Sequence, residues 1–251
     1  MTDIERGQKR WKIFLNKYKQ FSSINDKFRC LDLGCGRGEF VLAGILGKHN
    51  VYGVDVNARG LEGFRKLIAS EGIKTESDRC ILYDGDYIPF PSDFFSAIHS
   101  WYVLEHVTRL EVVLREMVRV TRPGGHIILN AQDARTGYEG HARIPWIPFL
   151  PRHLIAAWLS EFGKSDHLHY IQDHVYYITT NQVVAVLEHL GCEILHSSGA
   201  PNPLVQNYVN VYEKDQIREI AQNVINQFPS GDYPLPEDDI YIVARKSKYL
   251  S

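Results

Sequence analysis

Three glycines at alternate positions behind an apolar run are the most chemically informative feature of this 251-residue chain. In LDLGCGRGEF, residues 31–40, Gly34, Gly36 and Gly38 stand where the apolar run gives way to a helical pattern. Glycine is needed where a backbone turns sharply and meets a ligand, because a Cβ there would collide. In open α/β sheets that ligand lies beyond the carboxyl ends of the strands. A dinucleotide fingerprint would place its third glycine at position 39, but Glu39 stands there, so the spacing is GxGxG. The next apolar run, VYGVDVN, ends in Asp55, with Val56 beside it. An acid at that strand end can accept from both ribose hydroxyls of a nucleoside; capping the following helix is the plainer alternative. A third run ends in YDGD, residues 83–86. There Asp84, ahead of Pro89, is placed to accept an adenine amino group, and Gly85 leaves a backbone N–H for a ring nitrogen. Asp86 is the alternative, and an ordinary turn aspartate would fit the same letters.

For these residues to share one site, strands must deliver them to one edge of a sheet. The apolar runs FRCLDL (28–33), VYGVDV (51–56), CILYD (80–84), SAIHS (96–100) and HIILN (126–130) alternate with helical segments near 38–47, 57–71 and 107–120. Near-continuous apolar strands separated by helices imply a parallel sheet covered on both faces. Ahead of them, residues 4–20 read as a helix with Trp11, Phe14, Leu15 and Tyr18 on one face. Behind them, Thr180 caps a helix running to about Leu190, Gly191 ends it, and CEILHS follows as a strand. A helix near 213–228 and a last strand, DIYIVARK, complete the chain. Residues 133–175, with prolines, tryptophans and histidines, form an insertion in one domain spanning 1–251.

Bulk properties narrow the function classes. A composition of 44% hydrophobic residues is enough to bury a full core without disulfides or metals. The formal net charge of -2 carries no basic footprint for a phosphate backbone, so no nucleic-acid partner is expected. Cys30, Cys35, Cys80 and Cys192 form no CxxC pair and read as small buried residues of a reducing, cytoplasmic setting. The charged N-terminus lacks the apolar core of a signal peptide. No apolar run reaches the roughly eighteen residues of a membrane span.

Together LDLGCGRG, the acid of VDVN, IPFPSDFFSAI, SWYVLEHV and RVTRPGG resemble the successive motifs of class I methyltransferases. The likeness is to their broad small-molecule group and covers about residues 28–132, returning weakly at 176–198. It implies a Rossmann-like, doubly wound α/β fold of seven strands, mostly parallel with the last antiparallel. It also implies S-adenosylmethionine as cofactor, with Asp32 and the glycines along its methionine half and Ser100 to Tyr102 bordering the methyl group. Ser96 departs from the family, which often has an aspartate at that point.

The resemblance implies methyl transfer to a small molecule, most simply a hydroxyl of a glycan, quinone-like or lipid-linked acceptor. A base near neutral pKa would then take the hydroxyl proton. His106, in VLEHV, stands on the rim after the fourth strand and suits that role, though packing at the helix start would also explain it. The cluster DHLHYIQDH, residues 166–174, matches no compact metal pattern, so no metal is expected. Its member His174 is the one expected nearest the acceptor. Residues 141–162 are expected to act as a lid, with Trp146 and Phe149 either packed inward or exposed toward a lipid surface, where Arg143, Arg152 and His153 would meet phosphates. Methylation at nitrogen or carbon, a nicotinamide oxidoreductase and a non-enzymatic binding module remain alternatives.

Overall fold

The computed structural model describes residues 2–73, 76–198, 213–233 and 239–248. Its contacts divide into two compact units, residues 1–131, 183–197 and 241–251, and residues 132–182 and 198–240.

The first unit is built on a seven-stranded sheet. Its strands are β1 (Arg29–Leu33), β2 (Asn50–Asp55), β3 (Cys80–Leu82), β4 (Phe95–Trp101), β5 (Thr121–Ala131), β6 (Cys192–Ser198) and β7 (Ile240–Lys246). In these labels their order is β3-β2-β1-β4-β5-β7-β6, mostly parallel with one antiparallel strand. The order reverses between β1 and β4, and that crevice is where open α/β sheets bind ligands. The fold is the Rossmann-like one that the motifs imply.

Helices α1 (Asp3–Phe21), α2 (Glu39–Leu46), α3 (Ala58–Ser70), α4 (Leu110–Val120) and α7 (Thr180–His189) follow the apolar periodicity closely. Thr2 and Glu5 close a capping box at the start of α1, satisfying two N–H groups that the helix itself cannot pair. The i, i+3, i+7 spacing of Trp11, Phe14 and Tyr18 lays one stacked aromatic row along that helix, with ring centroids 5.3 and 5.9 Å apart. Trp11 and Phe14 meet Phe40 of α2 edge-on, at 5.0 and 5.4 Å.

Two boundaries differ from expectation in ways that matter near the site. β3 stops at Leu82, so the YDGD segment lies beyond the strand. Leu104–His106 form a 3-10 turn, and α4 starts only at Leu110. β5 instead begins early. The pairing jumps from Phe95 opposite Thr121 to Ala97 opposite His126, a bulge that holds Gly124 at φ +74°.

The second unit holds α5 (Ile155–Glu161), α6 (Leu168–His174) and α8 (Lys214–Gln227), with a short antiparallel pairing of Tyr138–Glu139 and Ile144–Pro145. Trp146, Leu150, Leu154 and Trp158 bury together with Ile217 and Ala221. Trp158 donates its indole N–H to the Pro145 carbonyl at 2.9 Å. Trp146 is only 3% exposed and so follows the packed-inward alternative, whereas Phe149, at 44%, remains exposed. Arg152 is engaged as well, donating to the carbonyls of Ile171, Gln172 and Val175 at the end of α6. A cation there complements the helix dipole. Among the described residues no helix is long and apolar enough to cross a membrane.

His126 makes the first unit sensitive to acid. Its ring is buried against Tyr18 and Phe21, and neither nitrogen has a hydrogen-bond partner among the described residues. Burial, with the charges of Arg245 and Arg122, lowers its pKa from 6.5 to about 4. The native ring stays neutral while the unfolded chain gains a proton, so its contribution is intact above pH 6.5 and lost as pH falls toward 4. That loss amounts to roughly 3 kcal/mol. His126→Leu should flatten denaturant midpoints across this window, and an unchanged pH slope would contradict the assignment.

Candidate functional site

The glycine turn leaves β1 at the switch point and is fastened from β2. Gly34 and Cys35 both donate to the Val54 carbonyl, at 2.8 and 3.1 Å. Gly36 donates to Asp55 Oδ2 at 2.7 Å, and Asn57 donates to Asp55 Oδ1 at 2.8 Å. Asn57 itself caps α3 by accepting from Arg59. Asp55 therefore orders both the turn and the start of a helix, more than the helix-capping alternative assigns to it. A carboxylate offers about four lone-pair sites, so capacity for two ribose hydroxyls remains.

The three glycines of the turn are needed for different reasons. All have positive φ, at +72°, +55° and +69°. A Cβ on Gly34 would fall 2.2 Å from Val103 Cγ2, and one on Gly38 2.3 Å from the Phe64 ring. At Gly36 a Cβ would meet nothing within 4 Å. Protein packing thus accounts for Gly34 and Gly38, and Gly36 alone opens onto unfilled space.

Val56 and Gly85 meet at the next two strand ends. Val56 is 61% exposed, and its Cγ1 lies 3.5 Å from where a Gly85 Cβ would stand. Leu82 and Tyr87 are exposed nearby in sequence, giving apolar surface of the kind an adenine ring covers. Asp84 is exposed, and its Oδ1 accepts from the backbone N–H groups of Asp86 and Tyr87. That is the turn-aspartate geometry, and Asp86 in turn pairs with Arg109.

Below the turn, Asp32 and Ser100 are fully buried on adjacent strands. Asp32 Oδ1 lies 2.6 Å from His99 Nδ1, a partner the sequence reading missed. A polar residue inside the otherwise apolar run of β4 was the available signal. Ser100 Oγ has no hydrogen-bond partner among the described residues. Just past β4, Tyr102 is held at φ +55° with its N–H on the Asn130 carbonyl, a strained backbone for a non-glycine residue. The half-buried His106 closes the following 3-10 turn, and Val103 of the same loop packs on Gly34. Ser96, where the family often has an acid, accepts from Arg29 N–H and donates to the Lys27 carbonyl.

His174 belongs to the second unit, exposed at the end of α6 beside Tyr170 and His169. No group of three or more His, Cys, Asp or Glu side chains among the described residues could hold a metal ion. The same unit holds a pair that the sequence reading passed over: buried Glu139 accepts from Ala142 N–H and lies 2.7 Å from His141 Nδ1.

Comparison with known proteins agrees with this geometry. Residues 31–129 match the family model described as a methyltransferase domain. The ubiquinone/menaquinone biosynthesis C-methyltransferase UbiE of Burkholderia cenocepacia is 31% identical over 113 residues, which is 43% of this chain and 44% of that protein. The chain thus matches less than half the length of this relative. An S-adenosylmethionine dependent methyltransferase from Mesorhizobium loti has the same fold, with TM-score 0.57 and 18% identity over 92% of this chain and 96% of that one. A geranyl diphosphate methyltransferase in complex with GPP and sinefungin gives TM-score 0.56 at 17% identity, over 94% and 78% of the two chains. Residues 31–129 thus carry a methyltransferase domain on a Rossmann-like fold.

Gly36→Ala tests the cradle. A left-handed residue with a side chain costs about 1–2 kcal/mol, which the fold should survive with an unchanged circular dichroism spectrum. Affinity for S-adenosylmethionine, measured by calorimetry, should fall at least about ten-fold, because the new methyl group enters the ligand's space. Gly38→Ala should instead destabilise the protein through its clash with Phe64. Normal cofactor affinity in the Gly36 variant would show that the turn does not cradle a ligand.

Proposed function

We propose that this protein transfers the methyl group of S-adenosylmethionine to a small-molecule acceptor, at a hydroxyl of a glycan, quinone-like or lipid-linked compound. The observation that carries the reading is Gly36, open to ligand space and held by Asp55, with Val56 and Gly85 together at the neighbouring strand ends. When bound, the cofactor supplies a methyl group made electrophilic by its sulfonium. Asp55 accepts from the ribose, Val56 and Gly85 line the adenine, and Asp32 serves the amino-acid end. Val103, packed on Gly34, ties the His106 loop to the glycine turn. His106 takes the acceptor's hydroxyl proton as oxygen attacks the methyl carbon, so the products are a methyl ether and S-adenosylhomocysteine. Holding acceptor oxygen and methyl carbon in line supplies much of the rate gain.

A second reading has its own support, since UbiE of Burkholderia cenocepacia is named as a C-methyltransferase of quinone biosynthesis. In that case the acceptor atom is a ring carbon. Loss of a ring hydroxyl proton to His106 then makes that carbon nucleophilic.

The test combines calorimetry with a labelled-methyl assay over hydroquinone, sugar and lipid-linked acceptors. Wild type should bind S-adenosylmethionine in preference to NAD, and product NMR will tell oxygen from carbon methylation. His106→Ala should lower turnover about 100-fold with cofactor affinity unchanged. Preference for NAD, or cofactor binding with no methylated product from any acceptor class, would remove the proposal. Turnover within a few-fold of wild type would return His106 to packing.

A further inference from the structure

We propose that His99 is a positioning residue. It fixes the carboxylate of Asp32 so that Oδ2 accepts from the ammonium of a zwitterionic amino-acid group, with Arg10 beside it for that group's carboxylate. The inference rests on S-adenosylmethionine being the cofactor and adds the residues that read its amino-acid end.

Asp32 and His99 are direct neighbours in the parallel pairing of β1 with β4, and both are buried, at 0% and 1% exposure. Only one carboxylate oxygen is used: Nδ1 meets Oδ1 at 2.6 Å, while Oδ2 has no hydrogen-bond partner among the described residues. The imidazole is held against turning. It lies parallel to Phe40 at 4.1 Å and meets Phe14 edge-on at 5.5 Å. Trp101 stacks on it at 5.9 Å. A ring held this way presents one N–H to Asp32 in one direction. Burial lowers the basicity of His99, consistent with a neutral donor beside the acid.

Arg10 reaches the same place from α1. Its Nη2 is 4.0 Å from Asp32 Oδ1, beyond hydrogen-bond range. The guanidinium sits 5.9 Å from the ring centroids of both Phe40 and Trp101, and its buried Nε has no partner among the described residues. A pair built only for stability would close its hydrogen bonds, since buried polar groups left unpaired are costly. An acid and a base held side by side, each with an unpaired buried atom, complement an α-amino acid zwitterion. Asp32 is two residues before Gly34, so this pair adjoins the glycine turn.

The test uses S-adenosylmethionine and 5′-methylthioadenosine, which lacks the amino-acid end and with it the sulfonium charge. Each is titrated by calorimetry into the full chain, and every variant is compared with wild type for the same ligand. His99→Phe keeps the stack on Phe40 but removes the N–H. It should weaken S-adenosylmethionine about ten-fold or more and leave methylthioadenosine within about two-fold. His99→Leu carries the same expectation should the Phe variant not fold. His99→Asn, whose amide N–H can replace Nδ1–H, should recover most of the loss. Arg10→Met should show the same selectivity between the ligands. Equal weakening of both ligands would reduce His99 to packing, and no weakening of either would remove it from the site. Wild-type protein that binds methylthioadenosine but discriminates nothing at the amino-acid end would also overturn the inference. If wild type binds neither ligand, the cofactor reading itself has failed.

Discussion

The hydrogen bond from Gly36 N–H to Asp55 Oδ2 joins two pieces of chain that neither could hold alone. A turn with three left-handed glycines has little intrinsic preference for one shape, since glycine gives up more freedom on ordering than any other residue. The Val54 carbonyl and the Asp55 carboxylate supply the missing constraint from the adjacent strand. The same carboxylate orders Asn57 at the head of α3. Gly60 of that helix comes so near the turn that a Cβ would lie 2.7 Å from the Gly36 carbonyl. Turn, strand end and helix start are thus ordered together by the chain's own hydrogen bonds. Preorganisation of this kind lowers the entropy that binding must overcome.

The loop after β4 answers to the same constraint. Val103 occupies the volume that a side chain on Gly34 would need, so the glycine turn and the loop bearing His106 pack as one surface. Tyr102 accepts a left-handed backbone there. Strain of order 1–3 kcal/mol persists only where surrounding structure over-determines it, and the Tyr102 N–H on the Asn130 carbonyl belongs to that surround. Buried polar atoms gather on the same strands: Asp32 on β1, His99 and Ser100 on β4, Asn130 on β5. Sites that bind and transform ligands keep such costs, whereas a core selected for stability alone would remove them.

The second unit follows a different logic. Its core is made by apolar side chains of the 142–175 segment together with α8, and the tryptophans lie inside it. Its polar groups include the Glu139–His141 pair and the exposed His169 and His174, none of which forms part of a metal cluster among the described residues.

Much of this protein was legible in the sequence because the controlling physics is local. Near-continuous apolar runs, period-3.6 patterns, strand-end acids and a GxGxG turn are written along the chain, and each strand of the sheet overlaps its apolar run. What could not be read was which atoms meet across elements. Gly34, Gly36 and Gly38 look equivalent as letters, yet Val103 and Phe64 crowd two of them and leave one open. The letters of Asp84 do not tell that its Oδ1 accepts from two turn N–H groups. The letters leave Trp146 either packed inward or exposed, and packing decides for the core of its unit. His99 found Asp32 only because β1 and β4, 67 residues apart along the chain at that pair, lie side by side. Propensity and pattern act over a few residues, whereas packing space, hydrogen-bond closure and burial depend on distant neighbours, which only the tertiary structure brings together.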